Sequence, residues 1–113
     1  ALNLDLEPAE SKGFWPVYEE YQKELAKINK RTADLIQRYA MEYKAGSVKN
    51  DDARKMTDEL IAIEAAEVDA KRAIVPKLSK VMSGKRVARY MQIESKIRAA
   101  VKYELAEGVP LVQ

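Results

Sequence analysis

Two glutamates stand where a helical pattern calls for hydrocarbon, Glu67 in the middle of the chain and Glu94 nearer its end. A charged carboxylate enclosed by apolar neighbours must find a partner or shift its pKa. Such a pair is the raw material for acid–base catalysis, and with Glu64 added it is a candidate hard-metal site. The rest of the composition narrows that chemistry. The 113 residues contain no His and no Cys, which excludes soft-metal ligation, imidazole or thiolate catalysis and disulfides. A carboxylate-bridged di-iron bundle draws on Glu-x-x-His pairs and is excluded with them. The competing reading is structural: Glu67 and Glu94 pair with Arg or Tyr hydroxyls of a facing helix and fix its register, as polar seam residues do. On that reading the chain has no catalytic residues, no metal ligands and no cofactor.

The elements that carry these residues follow from punctuation and period. Pro8 suits a first helical position, Gly46-Ser47 ends the first stretch, and Asn50-Asp51-Asp52 reads as a capped second start with acidic residues at the positive end of the helix dipole. Ser83 reads as a third N-cap and Gly108 as a left-handed stop. The pattern predicts an all-α domain over residues 1–113, with helices at about 8–45, 51–82 and 84–107. Pro16 and Pro76 are expected to kink their helices, or at Pro76 to break one in two. Phe14, Tyr18, Tyr21, Leu25, Ile28, Thr32, Leu35 and Tyr39 recur in steps of three and four, a coiled-coil seam with Thr32 as its one polar member. A second seam runs through Ala53, Met56, Leu60, Ile63, Glu67, Ala70 and Ile74, and a third through Val87, Tyr90, Ile93, Ile97, Val101 and Leu105. Ile61, Val68 and Val75 repeat every seven residues beside the second seam. Two stripes on one helix suit two partner surfaces. Together these features predict an elongated hairpin of three long helices, paired as a coiled-coil-like homodimer that buries the second stripe.

Charge is segregated along the chain. Residues 51–71 carry seven acidic and three basic side chains, whereas residues 72–102 carry nine basic ones against Glu94 alone. At about 100° per residue, Lys85, Arg89, Gln92 and Lys96 share one sector opposite the apolar stripe of the third helix. This basic strip suits acidic or partly unfolded protein partners, which long-range attraction would steer. No nucleic-acid-reading motif accompanies it, so nucleic acid is not expected as a partner. No apolar run approaches the ~18 residues of a membrane span, and membrane insertion is not expected. Trp15 points away from the seam that holds Phe14, either folding over a helix end or offering apolar surface to a partner.

Leu4-Asp5-Leu6-Glu7-Pro8-Ala9-Glu10 followed by Phe14-Trp15-Pro16-Val17-Tyr18 and Tyr21 resembles the L-T-P-x-Q … F-W-P-x-Y-x-x-Y opening of bacterial envelope proteins related to Spy and CpxP, the LTXXQ-motif family. Met82-Ser83-Gly84-Lys85-Arg86 is similar to a second copy of the short motif, and the segment from Lys85 to Glu94 resembles the ending of uncharacterised proteobacterial relatives. Glu7, Glu10 and Arg86 depart from the motif's Thr and Gln positions. The resemblance implies a periplasmic, all-helical, cradle-shaped homodimer whose basic concave face meets unfolded clients or a sensor domain. It also implies a signal peptide upstream of Ala1. Metal-sensing relatives use His-rich sites, so the binding branch is the one implied here.

The function expected from the sequence is therefore a non-enzymatic periplasmic interaction protein, chaperone-like or accessory to envelope-stress signalling. Lys85, Arg89, Gln92, Lys96 and Trp15 are its candidate partner-binding residues, and Glu67, Glu94 and Thr32 its buried polar ones. The alternatives are a purely structural coiled-coil dimerisation module and, third, a carboxylate-based metal or enzymatic site.

Overall fold

A computed structural model describes residues 4–112; Ala1, before which the signal peptide is expected, lies outside them. The chain forms three α-helices, α1 (Pro8–Lys44), α2 (Asn50–Ser79) and α3 (Gly84–Ala106), with no strand among the described residues. The molecule is an elongated all-α hairpin with α3 laid along it, 57 × 22 × 18 Å. Its long dimension is essentially that of α1, whose 37 residues span about 55 Å at 1.5 Å each.

Local chemistry explains most of the boundaries. Pro8 opens α1, and the Glu7 amide donates to Glu10 Oε1 at 3.1 Å, meeting one of the free donors of the first turn. Gly46 (φ 112°) and Gly108 (φ 83°) occupy left-handed backbone beyond α1 and α3, where a side chain would be strained. Ser83 caps α3, its hydroxyl accepting from the Arg86 amide at 3.4 Å.

Three expectations need correction. The second helix begins one residue early, with Lys49 as N-cap and no side-chain cap, so Asn50 is its first helical residue. It ends at Ser79 rather than Met82, because the Lys80 and Val81 amides bond three residues back, to Lys77 and Leu78, and tighten the chain into a turn. It also does not break at Pro76, but runs through it as one helix. Pro76 and Pro16 both lie on exposed faces, so the carbonyls deprived of a bond are not trapped in a dry core, and the buried Ile74 and Leu78 hold the helix in line.

The core is concentrated at one end. Phe14 and Tyr21 of α1, Ile74 and Leu78 of α2, Met82 of the turn, and Val87 and Tyr90 of α3 pack together with Leu4 into a buried cluster. Phe14, Leu78 and Tyr90 have no exposed surface, and the Phe14 and Tyr90 rings meet edge to face at 5.1 Å, a favoured aromatic geometry. Away from this end the predicted seams are only partly buried. Leu60 of the second seam and Ile97 of the third are 47% and 48% exposed, while Ile63 (2%) and Arg98, with its bond to Glu67, take the inward positions beside them. Thr32 is half-buried, its hydroxyl returned to its own helix by a 3.1 Å bond to the Ile28 carbonyl.

Gly13 shows how closely the α2–α3 turn packs on α1. A Cβ at this position would sit 2.6 Å from Val81 Cγ1 and 2.9 Å from Val81 Cβ. Ala normally stabilises an exposed helix interior by ~1 kcal/mol over Gly, but overpacking costs roughly 1–3 kcal/mol. Gly13→Ala is therefore expected to lower stability in urea unfolding, and the double variant Gly13→Ala/Val81→Ala to recover the overpacking part of the loss.

Candidate functional site

Below the aromatic core, polar side chains line the space where the three helices meet. On α3, Tyr90, Glu94 and Arg98 succeed one another at four-residue steps and stay on the inward face. The Tyr90 hydroxyl donates to Glu94 Oε1 at 2.8 Å, and Gln22 Nε2 of α1 donates to the same oxygen at 2.9 Å. One turn further along, Arg98 donates from Nη2 to Glu67 Oε1 of α2 at 2.7 Å and from Nη1 to Asn29 Oδ1 of α1. Lys102 Nζ reaches the other Glu67 oxygen at 2.7 Å. Glu67 is thus held by two cations, and Arg98 joins all three helices.

The electrostatics follow from these contacts. Burial opposes the charge on Glu67, but hydrogen bonds from Lys102 and Arg98, with their positive charges, outweigh it and hold the carboxyl below its ordinary range. Burial, the hydrogen bond to Glu94 and that carboxylate's charge push the Tyr90 hydroxyl far up, so it stays a proton donor. Burial and Glu94 also raise Tyr21. At the opposite end of the molecule, burial raises the Glu42 carboxyl, with Asp52 beside it adding to the effect.

The two seam carboxylates do not come together as a reactive pair. Glu67 is held by cations of α3, whereas Glu94 accepts from a neutral phenol and a neutral amide. The partner of Glu94 expected on a facing helix is divided: the Tyr hydroxyl comes from its own helix and the facing helix supplies Gln22. Gln22 and Asn29 were missed in the sequence. Their signal was a polar residue flanking the α1 seam at a seven-residue spacing. No group of three or more acidic residues able to hold a metal occurs among the described residues.

The candidate partner-binding residues lie elsewhere. Lys85, Arg89, Gln92 and Lys96 are all exposed on the outer face of α3, with Gln92 and Lys96 lining a shallow groove beside Ala88, Met91 and Ser95. Trp15 is 42% exposed. Its indole NH donates to Ser11 Oγ at 3.1 Å, and its ring stands edge-on to Phe14 and Tyr18 at 4.9 and 5.2 Å, so it folds over the core end while keeping one side open. In the single chain Ile61 and Val68 are 60% and 46% exposed, whereas Val75 packs partly against the core.

At the end far from the aromatic core, further apolar side chains face outward: Met41 (66%), Tyr103 (71%) and Leu111 (84%). The tail that carries Leu111 is tied down by the Tyr39 hydroxyl, which donates to the Pro110 carbonyl at 2.6 Å. No helix is long and apolar enough to cross a membrane among the described residues. Comparison with known proteins finds no family model, no curated protein and no solved structure that matches the chain.

Two outcomes follow from the polar layer. Arg98→Met leaves Glu67 with Lys102 alone and should cost about 1.5–3 kcal/mol in chemical unfolding, the range for losing a hydrogen bond to a charged group. The depressed Glu67 carboxyl contributes stability that is present above the ordinary carboxylate range and lost as pH falls through its folded pKa. Glu67→Gln should therefore flatten the acid limb of a stability–pH curve below about pH 4.5, without changing the slope on the neutral side.

Proposed function

We propose that this chain is a non-enzymatic protein-binding module of the bacterial periplasm, chaperone-like or accessory to envelope-stress signalling. The observation that carries the reading is the uneven division of apolar surface. The aromatic end encloses Phe14, Leu78 and Tyr90 and leaves Trp15 partly open, while Met41, Ile61, Tyr103 and Leu111 stand open toward the other end. Exposed apolar surface of this kind, flanked by charge, marks an interaction site. The strip of Lys85, Arg89, Gln92 and Lys96 on α3 supplies positive charge that would steer acidic segments of a partner to the molecule. The compartment rests on the likeness of residues 4–21 to the openings of Spy- and CpxP-related proteins. The polar layer supports a structural role for Glu67 and Glu94, since each is spent on contacts between helices.

Suppression of aggregation of a reduced, unfolding client, measured by light scattering at low and high salt, tests the proposal. The wild-type chain should suppress scattering. Ile61→Ser/Tyr103→Ser should lose most of that effect at both salts, and Lys85→Glu/Lys96→Glu should lose it chiefly at low salt, where steering is unscreened. Absence of suppression at either salt would overturn the chaperone reading and leave a purely structural dimerisation module in its place.

A further inference from the structure

The side of the α1–α2 hairpin turned away from α3 is an open groove. Its floor is formed by Tyr21, Ile28 and Ile74, and its α2 wall by Ala66, Ala70 and Ala73. None of the groove's lining residues belongs to α3. We propose that a second copy of this chain occupies this groove, face to face and antiparallel, so that α1 lies over α1 of the partner subunit and α2 over α2 of the partner subunit.

The choice of occupant rests on charge. Along the α1 rim the charged residues are Glu20, Glu24, Lys27 and Arg31 in that order, the first three exposed and Arg31 half-buried. Glu20 and Arg31 lie equally far from the midpoint between residues 25 and 26, and so do Glu24 and Lys27. A two-fold axis through that midpoint brings each acidic side chain opposite a basic one of the second copy, the self-complementarity that an isologous interface requires. Within one chain Lys77 already pairs with Glu20 at 2.6 Å and Arg31 with Glu59 at 2.6 Å. Pairing Glu20 with Arg31 across the axis joins these bridges into one run of alternating sign through both copies.

The α2 wall has a matching centre. Ala66 and Ala73 are placed symmetrically about the midpoint of residues 69 and 70. The two ion pairs within the hairpin set the α1 centre opposite residue 68, and at 1.5 Å per residue the two centres agree to about 2 Å. Small side chains at the centre allow helices to approach at the short end of the 8–10 Å range. One contact is adverse, because Asp69 of each copy falls next to the axis. This pairing leaves Ile61, Val68 and the strip on α3 uncovered, so it removes the conflict between a dimer that buries the second stripe and a partner that needs it. It stands whether or not the chain binds clients.

The native chain has no Cys, which makes disulfide mapping direct. Ala66→Cys and Ala73→Cys chains, mixed and mildly oxidised, should give a mixed disulfide dimer, while neither oxidised alone should do so to the same extent. In sedimentation, Glu24→Lys should weaken dimerisation at least tenfold, Glu24→Lys/Lys27→Glu should restore it, and Asp69→Asn should strengthen it, with circular dichroism confirming helicity in each. The proposal is overturned if the wild-type chain sediments only as monomer at tens of micromolar. It is equally overturned if the charge swap fails to rescue, or if Val68→Cys on the second stripe cross-links to itself in place of the Ala66–Ala73 pair.

Discussion

The enclosure of the Phe14 ring by Tyr90 and Leu78 is the contact on which the rest of the molecule depends. It brings all three helices to one point with no exposed surface on any of the three side chains, and so fixes where α3 begins its path along the hairpin. Everything inward on α3 then follows at four-residue steps. Glu94 falls opposite Gln22, and Arg98 falls between Asn29 and Glu67. A slip of α3 by one residue would swing the Tyr90, Glu94 and Arg98 series about 100° away from these partners. The aromatic contact thus supplies buried apolar area for docking, and the polar layer supplies its register.

That division of labour accounts for the shape of the exposed surface. Polar side chains that bond one another across a helix interface satisfy burial without excluding as much water as an apolar seam. Where Glu94 and Arg98 occupy the inward positions of α3, Ile97 is displaced to the edge and remains half exposed, as does Leu60 beside the buried Ile63 of α2. The end of the molecule away from Phe14 therefore carries apolar surface that the chain itself does not cover. An α1–α2 hairpin with one face taken by α3 leaves a second face open as well, and on that face alanines and a charge series of balanced sign replace large apolar residues. The two uncovered regions differ in kind, one apolar and irregular, the other shallow and symmetric in charge.

Much of this was legible in the residues alone. Three helices, their approximate ends, the buried positions Phe14, Tyr21, Ile28, Ile63, Ile74, Val87 and Tyr90, and the outward basic strip all follow from period and from turn chemistry, because both are local. Beyond the ends of α2, which differ by a few residues, the misreadings share one cause. Pro76 predicts a break only if its helix is unsupported, and the buried Ile74 and Leu78 support it. Leu60 and Ile97 fit their seams by period, but period cannot say that Ile63 and the Arg98 guanidinium will hold the inward places beside them.

The sequence by itself determined the class of the fold, the helix register of each apolar face and the exclusion of His and Cys chemistry, since these depend on residue type and on spacing within one helix. Tertiary structure alone decided which partners satisfy Glu67 and Glu94. Arg98 and Lys102 are 31 and 35 residues from Glu67, and Gln22 is 72 from Glu94, and pairings at such separations are set by how three helices stack, which no local pattern encodes. It also decided that the α1–α2 groove stays open, because only the placement of α3 on one side of the hairpin leaves the other side bare.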